Sequence, residues 1–174
     1  LVEGVVDVDD VDAFVTTLDG IAAETGVTVQ AFDARYVVSR RHLDRAVALA
    51  DRAIDRGEAI ARDRAVEILL YAAGRRQITD ALELGVSVGP TRVVVLVDAR
   101  ADGDAEASDA ADAEAAAAEA VRSRVLDAAE PTLGDYDPDR VRSYFDVDDA
   151  ELAVVDGDIE ALVCERVALL VVER

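Results

Sequence analysis

Apolar and polar positions along the chain fall into segments of two periods, and the period changes repeatedly. EGVVDV near the start reads as a short strand, after which apolar residues recur at Val11, Phe14, Val15, Leu18, Ile21 and Ala22, the spacing of a helix that Gly26 stops. VTVQAFDARYVVS follows, rich in β-branched and aromatic residues, and predicts a strand interrupted near Asp33. Ser39 is placed to cap a helix whose face is Leu43, Val47, Ala50 and Ile54 and which Gly57 ends.

The run VEILLYAA, residues 66–73, is nearly all apolar between charged segments, the pattern of a central strand buried on both faces. Gly74 breaks it, and GRRQITDALELG opens the next helix, with Ile78, Ala81 and Leu82 on its apolar side and Gly85 at its end. TRVVVLVDA is a second strongly buried strand. Residues 99–120 are almost entirely Ala, Asp and Glu; the later part suits a helix, whereas 99–110 lack apolar area and are expected to be a flexible, exposed acidic insertion. Residues 121–126 continue that helix towards the core, residues 139–145 make a short one, and ELAVV reads as an edge strand. The last helix runs from residue 158 to about 171, and its stripe of Ile159, Leu162, Val163, Val167, Leu170 and Val171 is widened by Ala168 and Leu169. A helix apolar nearly all round is either sandwiched in a core or half exposed for a partner. No repeat or linker is visible, and 174 residues suit one domain with an ordinary core.

Composition changes how the charge is read. Acidic residues number 38 against 18 basic ones, every one of them Arg, for a net charge of -20. Carboxylates keep a surface hydrated in concentrated salt, where the Debye length falls to ~3 Å at 1 M and self-repulsion is screened. The composition is that of a protein from a salt-rich cytoplasm, so acidity alone does not imply a cationic partner. A single Cys, Cys164, lies in an apolar helical pattern, which excludes an internal disulfide and suits a packed thiol in a reducing interior. No apolar run approaches the ~20 residues of a membrane span and no signal peptide pattern opens the chain, so a cytoplasmic protein without a membrane partner is expected.

Positive charge is nevertheless concentrated. Residues 35–92 hold 11 arginines and 8 acidic residues, a local charge of +3, while the remaining 7 arginines and 30 acidic residues give -23. Arg45, Arg52 and Arg56 have Asp44, Asp51, Asp55 and Asp63 close in sequence, and exposed pairs at helical spacing contribute only ~0.3 to 0.5 kcal/mol each. Arg75 and Arg76 lack such neighbours, the nearest being Glu67 and Asp80. A glycine before two guanidinium forks at a helix start makes a phosphate or carboxylate site, with Tyr71, Gln77 and Ile78 available for stacking, hydrogen bonding and apolar contact. The anion is either the backbone of an RNA or a small anionic metabolite held at the helix start of residues 74–76.

Catalytic groups are scarce. The one histidine, His42, is flanked by Arg41 and Leu43 at a helix start and reads as a solvated surface residue. One His and one Cys make a metal site or a Cys/His nucleophile pair improbable, and no phosphate loop, dinucleotide fingerprint or nucleophile elbow occurs. A binding subunit without catalytic residues, metal or cofactor fits better than an enzyme.

The stretch AIDRGEAIARDRAVEILLYAAGRRQITDALELGV resembles the central segment of the KEOPS accessory subunit that binds the complex's small kinase. The family's G-x-R-Q-I motif and following A-L-E are matched by Gly74, Arg76, Gln77, Ile78, Ala81, Leu82 and Glu83, and ERVALL is similar to its last helix. The resemblance implies a single α/β (α+β) domain with a central, mainly antiparallel sheet flanked by helices. It implies a noncatalytic subunit of the complex that installs threonylcarbamoyladenosine in tRNA, contacting the kinase and recruiting tRNA by its 3' CCA end. Carried over, it places Gly74, Arg75, Arg76, Gln77 and Ile78 at the RNA end, and Val163, Val167, Leu170 and Val171 at the kinase.

Overall fold

The computed structural model describes residues 1–100 and 107–171. They form β1 (Val2–Val8), α1 (Val11–Thr25), β2 (Thr28–Asp33), α2 (Arg40–Asp55), α3 (Arg64–Ala73), α4 (Ile78–Ala81), β3 (Gly89–Asp98), α5 (Ala107–Arg124), α6 (Pro138–Tyr144), α7 (Asp149–Val154) and α8 (Ile159–Leu169), with 3-10 turns at Ala34–Tyr36 and Leu82–Leu84. The class is α+β, with helices accompanying a three-stranded antiparallel sheet. The chain divides into two compact units, one drawn from residues 1–32 and 86–132, the other from 33–85 and the segment beginning at Leu133.

In the first unit β3 lies between β1 and β2. β1 runs antiparallel to β3 with Val2 opposite Val95 and Val8 opposite Gly89. Val2, Val6 and Val8 face inward from β1, meeting Val93, Val95 and Val97 of β3, Leu18 and Ile21 of α1, and Ala117 and Val121 of α5. Asp10 caps α1 through the Ala13 N–H, and Gly26 ends it at φ 72, a left-handed conformation that costs glycine little. At Gly4 a methyl group would run into the Ala128 carbonyl oxygen, the acceptor of the Val5 N–H at 2.9 Å.

The insertion expected over 99–110 is corrected at both of its ends. Ala99 packs on the sheet core and its N–H donates to Glu114 at 2.8 Å, and α5 already begins at Ala107. Small residues at Ala113, Ala117 and Ala118 let the helix sit close to the sheet without large side chains. Residues 101–106 lie outside the described residues.

The second unit is helical, built where α2, α3 and α8 pack together with α6 and α7. Its centre is α3, which corrects the strand expected over residues 66–73. All residues from Glu67 to Ala73 are buried, so no polar face exposes the helical period, and a short apolar run does not distinguish strand from helix. The ends decide it: Asp63 accepts from the Val66 N–H, and Gly74 closes the other end at φ 60. ELAVV likewise forms α7 rather than an edge strand, because Asp148 and Glu151 make a reciprocal capping box at its start. The buried Glu67 carboxylate accepts from the backbone N–H groups of Ile60 and Ala61, the latter at 2.7 Å, and so pins the connection between α2 and α3.

His42 is buried, not solvated. Ser39 caps α2, and three residues on His42 falls on the inward face with Leu43, Ala46, Leu49, Ala50 and Ala53. Its Nε2 lies 2.8 Å from the Ala72 carbonyl, fixing Nε2 as the protonated nitrogen, and its ring meets Phe145 edge-on at 5.7 Å. Burial pushes the imidazole pKa down to about 4, against a smaller opposing effect of the Ala72 hydrogen bond. The unfolded chain therefore binds the proton more readily, and stability present at neutral pH is lost as pH falls from about 6.5 through 4. Between pH 7 and pH 4 the stability of the wild type relative to His42→Gln should fall by about 3 kcal/mol, measured by urea unfolding at each pH.

Candidate functional site

The motif GRRQI begins where α3 stops. The Gly74 N–H donates to the Tyr71 carbonyl at 3.0 Å and the Arg75 N–H to the Leu70 carbonyl at 3.1 Å, a Schellman closure of the helix. Those two amides are consumed and face the negative end of α3, so the anion site expected from a helix start at 74–76 is corrected: α4 begins only at Ile78, spans four residues and has no side-chain cap. A Cβ at Gly74 would lie 3.3 Å from the Arg166 carbonyl oxygen, a second reason for glycine there besides its positive φ.

The two arginines of the motif go separate ways. Arg75 donates to the Tyr144 carbonyl, lies 3.4 Å from the Asp146 carboxylate, and sits over the Tyr144 ring at 5.1 Å. From the other side Arg166 donates to the Phe145 carbonyl at 3.1 Å, the Asp146 carbonyl at 3.2 Å and Glu151 at 2.6 Å. Residues 144–146 are thus clamped between two guanidinium groups, and Asp146 is held at φ 51. Arg76, by contrast, is exposed, and among the described residues its side chain makes no hydrogen bond or ion pair; the same is true of Gln77.

Below this free segment the turn is braced. The Tyr144 hydroxyl donates to the Asp80 carbonyl at 2.9 Å and the Tyr36 hydroxyl to Glu83 at 2.8 Å. Burial pushes the Tyr144 pKa up to about 12 and raises that of Tyr36, so both phenols remain donors. Ala81 and Leu84 are buried anchors. Ile78 and Leu82, one helical turn apart, are 48% and 55% exposed. Beside the turn lies an open cleft of about 410 Å³ lined by Arg75, Thr79, Asp80, Glu83, Ser143 and Tyr144.

Of the expected RNA-end residues, Arg76, Gln77 and Ile78 lie together on the surface, while Gly74 and Arg75 serve the fold. Tyr71, expected to stack, is 2% exposed inside α3. The apolar side expected from Ile78, Ala81 and Leu82 is corrected: only Ala81 is buried, and Leu82 joins Ile78 at the surface, its signal the i, i+4 spacing to Ile78 with Ala81 and Leu84 taking the core. Val163 and Val167 on α8 and Leu170 just after it are buried and Val171 in the following turn is partly exposed, so of the expected kinase-facing set only Val171 reaches the surface. The large exposed apolar side chains of the last two helices are Val154 and Leu169. Cys164 is buried too, and burial raises its thiol pKa. Among the described residues no cluster of His, Cys, Asp or Glu is arranged to hold a metal, and no helix is long and apolar enough to cross a membrane.

The sequence model of one protein family, kinase binding protein CGI-121, matches residues 6–170. The chain belongs to the CGI-121 family of kinase-binding proteins. A kinase partner and a regulatory, accessory role follow from that membership. The match takes in the GRRQI turn, both clamping arginines and all of α8. Comparison with curated proteins returns no match. For this CGI-121 member, Arg75→Ala should cost about 2 kcal/mol through the loss of charge-assisted hydrogen bonds, whereas Arg76→Ala should change unfolding free energy by less than about 0.5 kcal/mol. Paired denaturation curves measure both.

Proposed function

We propose that this protein is the noncatalytic, kinase-binding subunit of a KEOPS complex and recruits tRNA to threonylcarbamoyladenosine synthesis by the 3' CCA end. Its setting is the salt-rich cytoplasm of a halophilic archaeon. The observation that supports the RNA role is the braced turn on which Arg76, Gln77 and Ile78 are exposed while Arg75 is committed to the fold. Fixing the backbone beforehand lowers the ordering cost when a single strand binds. Arg76 supplies a planar fork for a phosphate or a stacking surface for a base, and Ile78 with Leu82 supplies apolar contact in place of an aromatic ring. Cytosine and adenine both carry exocyclic amino groups, and the Asp80 carboxylate in the adjoining cleft is an acceptor of the right type for them. An acidic residue beside an RNA site is then compatible with base reading rather than phosphate contact.

Kinase contact is assigned to the surface of the last two helices, centred on Val154 and Leu169 with Val171. Interface centres need exposed apolar side chains, and the buried Val163, Val167 and Leu170 support that surface from beneath.

Arg76→Ala should weaken binding of intact tRNA about tenfold, the loss of one charge-assisted contact of about 1.5 kcal/mol. Trimming CCA from the RNA should abolish the difference between wild type and variant. Equal affinity of wild type and variant for intact tRNA would defeat the RNA role. Leu169→Asp should prevent copurification of the kinase while leaving the melting temperature near that of the wild type; retention of the kinase would move its surface elsewhere.

A further inference from the structure

We infer that the outer flank of α2 carries a second RNA contact, a row of arginines that holds the phosphate backbone of the RNA whose 3' end docks at Arg76. The inference rests on the RNA-end reading above. Arg41, Arg45, Arg52 and Arg56 are spaced at intervals of four, seven and four residues, which at 3.6 residues per turn places them within about 60° of one another. Arg56 is the residue that closes α2 at its C-terminal end; no residue of the helix other than these arginines falls in that arc, and all four are exposed. The row extends ~22 Å at 1.5 Å per residue.

Acidic partners close in sequence do not neutralise it. Asp44 lies 3.6 Å from Arg40, Asp51 pairs with Arg64 at 2.7 Å, and Asp63 caps α3. Only Arg41 is engaged, with Glu160 at 3.3 Å, and among the described residues Arg45, Arg52 and Arg56 have no side-chain hydrogen bond or ion pair. In a chain with 38 acidic residues against 18 basic ones, an arc of nothing but arginine is a strong local departure.

The row is positioned to continue the site at Arg76. His42, one residue after Arg41, contacts the Ala72 carbonyl at 2.8 Å, so the start of α2 lies beside the end of α3 from which the GRRQI turn emerges. A protein partner is the less suitable occupant because the arc contains no apolar residue and the large exposed apolar side chains lie off α2, whereas an interface centre requires them. Phosphates require only charge and donor forks, which guanidinium groups present in pairs. In concentrated salt, where long-range steering is screened, such close contacts orient an RNA held chiefly at its end.

The test uses the full chain with Arg45, Arg52 and Arg56 all changed to Gln, which preserves helix propensity, and Arg40→Gln as a control outside the arc. Fluorescence anisotropy with intact and CCA-trimmed tRNA is followed over a several-fold range of salt. The inference predicts that the log–log salt slope for intact tRNA falls by about 2 to 3 in the triple variant, at 0.7 to 0.9 per phosphate contact, and is unchanged in the control. It also predicts that trimmed tRNA keeps weak binding to wild type that the triple variant loses. A slope equal to that of the wild type, with trimming still costly, would overturn the row while leaving the CCA site standing. Loss of kinase binding with unaltered RNA binding would overturn it in favour of a protein interface. If trimming has no effect on any form, the reading beneath it fails instead.

Discussion

Residues 144–146 are held between Arg75 and Arg166, and much of the second unit's surface follows from that clamp. Arg75 reaches them from the end of α3 and Arg166 from the middle of α8, and each donates to backbone carbonyl oxygens that a helix end and a left-handed Asp146 leave without helical partners. A guanidinium suits this work because its charge is permanent and its donors diverge in a plane. The clamp also consumes the one arginine of the pair that would otherwise compete for an anion. Arg76 is pushed out by the Schellman closure that uses the Gly74 and Arg75 amides, so the same few residues that end α3 deliver an unpaired guanidinium to the solvent.

Beneath it a cluster of aromatic rings keeps the turn in place. Tyr144 meets Tyr36 edge-on at 5.5 Å and Phe145 at 5.0 Å, and Phe145 in turn meets His42. In a chain that is 4% aromatic, a large share of the rings is spent here, with the phenol oxygens directed at Asp80 and Glu83. The neutral imidazole of His42 belongs to this packing and contributes no charge to it.

How much of this was legible in the sequence differs from one kind of feature to another. β1, α1, α2 and α6 follow from periodicity and caps, since each has one wetter face, whereas β3 follows from its unbroken β-branched apolar run, buried from Val93 to Val97. α3 reads as a strand because a helix buried on every side carries no period, although Asp63 and Gly74 mark its ends. His42 has a charged neighbour in Arg41, which suggests a solvated position, but the i, i+4 register it shares with Ala46 puts it on the buried face. The arginines are the clearest lesson: Arg75, without an acid nearby in sequence, finds Asp146 in space, while Arg45, Arg52 and Arg56, surrounded by acids in sequence, have none in hand. Sequence separation measures neither. The membership of Arg76, Gln77 and Ile78 in one exposed group was legible as a motif, but the role of Gly74 as a helix stop was visible only once α3 was known to be a helix.

The central claim is that the free end of tRNA lies on the exposed turn above the clamp. Placing a photoreactive base at the 3' terminal position of tRNA, irradiating the complex and mapping the attached peptide would test it most directly. The account predicts attachment within residues 76–83. Attachment confined to the sheet unit, or to α7 and α8, would contradict it.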